Sequence, residues 1–182
     1  MAETWVRDVL TFWFEEAKPE QWFRKDDAFD AAMKARFLQL HADLQARPLG
    51  EFLVDAETAI AAIVVFDQMS RNMFRGTAKA FASDARALAL ADAAIARGYE
   101  AALTKHQRTF LYLPFEHAED LAAQERCVRL MQSLDDAELV KYAEAHRAII
   151  ARFGRFPHRN QALGRASTPE ETAFLKEPGS SF

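Results

Sequence analysis

Apolar positions recur three and four residues apart along nearly the whole chain, with abundant Ala and Leu and sparse β-branched residues, which predicts helices throughout. Strict alternation of apolar and polar residues is absent, so no strand is expected. A first helix spans roughly Thr4 to Glu16, with Trp5, Val9, Phe12 and Trp13 on one stripe and Pro19 after its end. A second opens at Asp26 or Asp27 and carries Phe29, Met33, Phe37, Leu40 and Leu44 on its period until Pro48. The helix after Asp55 is apolar almost all round through Ile60, Ile63, Val64, Val65 and Phe66, the mark of a central, buried element. Ser83 is expected to cap a helix that stops at Arg97 and Gly98. Thr104 starts the next. Pro114 should kink or divide it, leaving Phe115 to about Leu134 as a separate helix. Asp135 or Asp136 reopens the pattern to Gly154, and Thr168-Pro169-Glu170-Glu171 reads as a capping box with Pro at the first helical position. The expected fold class is therefore all-α, a compact array of about six or seven helices with short connections.

At 182 residues the chain has the size of a single domain, expected over 1–182. Half of it is hydrophobic and only 6 Gly and 6 Pro are present, which excludes disorder and low-complexity architectures. With 23 basic and 27 acidic residues the formal charge is −4, which argues against general nucleic-acid binding through phosphate contacts. A lone Cys127 excludes an internal disulfide and a zinc thiolate cluster, and it suits a reducing compartment. The start shows no basic segment before an apolar stretch, and no run approaches the ~18 apolar residues of a membrane span. The expectation is a soluble, cytoplasmic protein without membrane association.

The charges nearly balance in number but are segregated along the chain. Between Glu144 and Glu170 there is no acid, while Arg147, Arg152, Arg155, Arg159 and Arg165 fall there with His146 and His158. A second basic island between Asp67 and Asp84 holds Arg71, Arg75 and Lys79 beside Asn72. Opposite in sign is Glu116-His117-Ala118-Glu119-Asp120, just after Pro114. Two readings stay open. Guanidinium forks are well suited to buried ion pairs, so these arginines could fix loops to the helical body; alternatively the islands cradle an anionic ligand such as a phosphate or carboxylate. Asp67, Arg71 and Arg75 are spaced by four, so a continuing helix would align them and let Asp67 orient Arg71. His117, Asp120 and Gln124 share a face by the same spacing.

In Phe153-Gly154-Arg155-Phe156-Pro157-His158-Arg159-Asn160, Gly154 ends a helix, Pro157 stiffens the loop, and two arginines flank an imidazole that can titrate near neutral pH. No H-E-x-x-H or similar ligand spacing supports a metal site, no G-x-S-x-G elbow offers a nucleophile, and no Gly-rich phosphate loop implies a nucleotide cofactor. The aromatic runs Phe12-Trp13-Phe14 and Trp22-Phe23 read as core rather than as a membrane face.

The chain resembles the bacterial family known as domain of unknown function 924 over essentially its whole length. The resemblance is carried by Leu10-Thr11-Phe12-Trp13-Phe14, by the run Asp67 to Gly76, by Phe81-Ala82-Ser83-Asp84, by Leu113 to Asp120 with Gln124-Glu125, and by His146 to Arg165. It implies a tetratricopeptide-like α-α superhelix and no established activity. The leading functional expectation is a binding module that presents Arg71, Asn72, Arg75, Arg155, His158 and Arg159 to an anionic small molecule, an acidic peptide or another protein partner. The alternative is an enzyme, a hydrolase or transferase acting on a phosphorylated or carboxylated metabolite, with Asp67, His117 or His158 as acid or base. No metal or cofactor is expected.

Overall fold

The computed structural model describes residues 3–181, and among them every regular element is helical. Helix α1 (Thr4–Thr11) runs directly into a π-helical turn, Phe12–Glu16, and Val6, Val9, Phe12 and Trp13 are buried. After the single turn α2 (Pro19–Trp22), α3 (Asp27–Gln45) starts where Asp26 Oδ1 accepts the backbone N–H groups of Ala28 and Phe29, each at 3.0 Å. Helix α4 (Ala56–Ile63) continues through a second π-helical turn, Val64–Met69, into α5 (Ser70–Met73). Residues 58–70 are all buried, as the all-round apolar pattern requires.

Helix α6 (Asp84–Ala96) ends at Gly98, whose φ of 71° supplies the left-handed terminator. Its start differs from expectation. Ser83 has φ −98° and ψ −1° rather than an extended conformation, and its hydroxyl makes no capping bond; it meets Gln45 Nε2 and, at 3.3 Å, Ser70 Oγ. Thr104 does open α7 (Lys105–Glu116), through reciprocal bonds with Gln107. Pro114 does not divide this helix, which runs on to Glu116. The separate helix expected from Phe115 begins instead as α8 (Leu121–Gln132), because the Asp120 side chain accepts the Ala123 N–H at 2.8 Å and fixes the start there. Helix α9 (Ala137–Phe153) runs from its Asp136 cap to Gly154, and α10 (Pro169–Phe174) carries the expected Thr168–Glu171 capping box. These are ten α-helical stretches among the described residues, more than the six or seven expected, since single turns such as α2 and α5 are too short for periodicity to resolve.

The chain groups into two compact units, the first holding the residues up to Arg75 together with Lys79–Pro114, the second Gly76–Ala78 together with everything from Phe115 onward. In the first, α1 and α6 both pack on α4, and α3 packs on α5. Arg86 on α6 lies 5.6 Å from the Phe52 ring centre and 5.0 Å from that of Phe66, and it donates to Arg47 O beyond the end of α3. In the second, α8 packs along α9. Ile149, Ile150, Phe156 and Phe174 form its core with Phe153 against them.

Candidate functional site

In the first unit the guanidinium of Arg71 is shared between two carboxylates. Its Nη1 donates to Asp67 O at 2.8 Å, Asp67 Oδ1 at 3.1 Å and Asp84 Oδ1 at 2.9 Å, and its Nη2 to Asp84 Oδ2 at 2.9 Å. Asp67 is fully buried on the π-helical turn and also accepts from Gln68 Nε2 at 2.5 Å. Burial opposes the Arg71 charge, but Asp67 and Asp84 outweigh it and hold the guanidinium above its ordinary pKa. The Asp67–Arg71 pairing is the one the spacing implied. Arg75 does not join it: α5 ends at Met73, and Arg75 instead grips Asp30 of α3 through Nε at 2.8 Å and Nη2 at 3.1 Å. Asn72 Nδ2 donates to the same Asp30 at 2.6 Å.

The second unit gathers the other predicted residues in two groups. Arg155 makes a two-pronged pair with the buried Glu171, at 2.7 and 2.9 Å, and reaches Ala166 O at 2.9 Å. The Arg155 bonds and the Thr168 N–H bring the Glu171 carboxyl down to about 2. Buried Asn160 joins this network by donating to Ser167 Oγ and Glu171 Oε2 and accepting from Arg165 Nε. Arg165 in turn clamps Glu119 at 2.6 and 2.9 Å, and Glu119 accepts the Phe156 N–H at 2.7 Å. Burial alone would raise the Glu119 pKa; Arg165, the Phe156 N–H and Arg159 reverse that and lower it. The loop between α9 and α10 is thus tied down by arginine–carboxylate forks.

The second group surrounds the buried ring of Phe156. The Arg159 guanidinium stacks 4.5 Å from the ring centre, His158 lies 5.6 Å and His146 5.7 Å from it, and His117 is 6.3 Å from His146. Arg159 Nη2 donates to His117 O at 3.0 Å. His146 Nδ1 is 2.8 Å from Tyr142 O, which as a carbonyl can only accept, so Nδ1 carries the proton; Glu116 Oε1 stands 3.5 Å from the same nitrogen. Burial pushes the His146 pKa down to about 3, and His117, Arg159 and His158 add like-charge opposition. Cys127 lies 3.9 Å from Glu116, and burial together with that carboxylate pushes its thiol up, which favours the protonated form. Gln124 Nε2 donates to Glu116 O and Ala118 O, at 2.5 and 2.8 Å. Among the described residues no group of three or more His, Cys, Asp or Glu is disposed to hold a metal ion, and no helix is long and apolar enough to cross a membrane.

Asp67 and Arg71 are therefore brought together, Asn72 and Arg75 meet on Asp30, and His117, His158 and Arg159 share one cluster in the second unit, while Arg155 belongs to the Glu171 network. What sequence reasoning lacked were the acids Asp30 and Glu171 that receive Arg75 and Arg155. The Thr168 capping box did mark Glu171, but as a cap alone.

The sequence profile described as "Bacterial protein of unknown function (DUF924)" matches residues 9–179. The chain belongs to this family. It is also similar to a solved structure titled "Structure of Protein of Unknown Function ATU0120 from Agrobacterium tumefaciens", at 46% sequence identity and a TM-score of 0.88, covering 94% of this chain and 96% of that one. No curated protein matches it.

Proposed function

We propose that the chain is a binding module for a small anionic molecule, a carboxylate or phosphate, seated at His117, His158 and Arg159 in the second unit. The observation that carries this is that His146, His158 and the Arg159 guanidinium surround Phe156, with His117 beside His146. A guanidinium with neighbouring imidazole donors suits an anion and gives it fixed orientation. Arg155 and Arg165 support the reading indirectly, since their forks to Glu171 and Glu119 hold the loop that bears His158 and Arg159. Arg71, Asn72 and Arg75 form a second polar cluster, but Asp30, Asp67 and Asp84 already neutralise it, which weights it toward structure. A tetratricopeptide-like scaffold and an acidic peptide end as ligand are compatible by fold analogy alone. Cys127, buried and outside any disulfide, suits a cytoplasmic location. The test is a thermal-shift and calorimetric screen of phosphate, malate and nucleotides against the protein and its Arg159→Met and His158→Asn variants. An anion-specific rise in melting temperature that both variants lose supports the site; a rise that both retain removes it.

One observation favours an enzymatic reading: His117 and His158, each able to act as acid or base, lie in the same cluster as the Arg159 guanidinium that would anchor an anionic substrate. Turnover of a phosphorylated or carboxylated metabolite with a bell-shaped pH profile, altered in His117→Asn, would support it. Binding without turnover across the same screen would count against it.

A further inference from the structure

The backbone that presents His117 is gripped at every step. Phe115 O receives the Ala118 N–H at 3.3 Å, and the next three carbonyls all receive side-chain donors: Glu116 O and Ala118 O from Gln124 Nε2, and His117 O from Arg159 Nη2. Glu119 is then fixed through its carboxylate by Arg165 and the Phe156 N–H, and Asp120 by its capping bond to Ala123. A helix end ordinarily leaves such carbonyls to water or to backbone N–H groups. Here a fully buried amide is spent on the two carbonyls that flank one histidine. Because both partners are carbonyls and only accept, the amide orientation is fixed: the nitrogen faces Glu116 and Ala118. Its Oε1 is buried without a partner among the described residues, so the side chain gives up half of its hydrogen-bonding capacity to keep this grip.

We propose that Gln124 is a positioning residue for His117, clamping the carbonyls on either side of it while Arg159, itself part of the anion site, holds the His117 carbonyl, so that the His117 imidazole is turned to the ligand's anionic end. The inference rests on the anion-binding reading above. Half-buried His117 keeps solvent access, while Gln124 beneath it has none, which matches a layer that orients and a layer that touches. Other roles for the grip, such as terminating α7, would require only that the carbonyls be satisfied; they would not tie the imidazole's titration to the amide.

The experiment pairs calorimetric titration of inorganic phosphate and malate with nuclear magnetic resonance titration of the His117 imidazole, on the wild type and on Gln124→Met, which removes the donors without changing charge. The expected result is a tenfold or greater loss of anion affinity in Gln124→Met and in His117→Asn, with a displaced His117 titration midpoint in Gln124→Met. An unchanged His117 titration together with affinity unchanged at a temperature where the variant is fully folded would overturn the proposal. If the wild type binds anions and Arg159→Met abolishes binding while Gln124→Met does not weaken it, the anion site stands and the positioning role falls. If no anion binds the wild type, the binding reading falls and this proposal with it. Should Gln124→Met fail to fold, Gln124→Asn draws the amide back by one methylene: weakened anion affinity with a displaced His117 midpoint supports the carbonyl grip, and wild-type affinity overturns it.

Discussion

At the scale of single residues, the arginines are decided by which acid each one meets. Removing Arg71 leaves the buried Asp67 and the part-buried Asp84 without their shared guanidinium, and breaking a buried pair from one side typically costs about 3 kcal/mol or more. Arg71→Met should lower the urea midpoint accordingly, and an unchanged midpoint would contradict that role. Protonation follows the same logic. The Glu171 carboxyl sits at about 2 in the folded chain against 4.5 as its reference, so its stabilisation is complete above 4.5 and is lost as pH falls toward 2. His146, down at about 3 against 6.5, acts in the same sense: it must stay neutral when folded, so stability declines as pH falls from 6.5 toward 3. Burial lowers His41 in the same direction. The melting temperature should therefore hold steady above about pH 6.5 and fall progressively below it, with the Glu171→Gln variant losing the steepest part of the decline below 4.5. A melting temperature flat from pH 7 to 4 would refute the histidine contribution. The Asp67–Arg71 pair was legible because its spacing is local, whereas Asn72 and Arg75 meet Asp30 from 42 and 45 positions away, and Arg165 meets Glu119 from 46.

At the scale of elements, the chain's punctuation is carried by caps and glycines. Asp26, Asp120, Asp136 and Thr168 accept the first backbone N–H groups of their helices, and Gly98 and Gly154 close theirs in left-handed geometry. At Gly154 φ is 70° and a Cβ would meet nothing within 4 Å, so Gly154→Ala tests backbone strain alone and should cost about 1 kcal/mol. Gly154→Asn, better tolerated in this conformation, should cost less in the same chemical denaturation measurement, and equal costs would point to another cause. Asp136→Ala should cost a similar ~1 kcal/mol by loss of its cap. Pro114 and Ser83 show the limit of such reading. Pro114 gives up only the one backbone bond its missing N–H would make to the preceding turn, and α7 continues through it to Glu116. Ser83 had a helix start to cap but found partners in Gln45 and Ser70, supplied by α3 and α5.

At the scale of the whole molecule, a net charge of −4 hides a sorting of charge that the fold turns into arginine–carboxylate forks and a cluster of imidazoles about Arg159. If that cluster holds an anion, binding must add to global stability by mass action. At a ligand concentration a hundred times its dissociation constant the gain is about 2.7 kcal/mol, readable as a concentration-dependent rise in melting temperature. A melting temperature that phosphate and malate leave unmoved at millimolar concentration would exclude a site of that affinity.

The sequence by itself determined the all-helical class, most helix starts and stops, the buried α4 and its extension, and membership of the family. These depend on neighbours a few residues apart, where periodicity, capping and backbone conformation act directly. Only the tertiary structure decided which carboxylate each arginine meets, that Arg155 belongs to Glu171 while Arg159 stacks on Phe156, and that Gln124 grips the carbonyls around His117. Those pairings depend on helices laid side by side by core packing, and the same island of arginines could have been matched to other acids with no change in the local pattern.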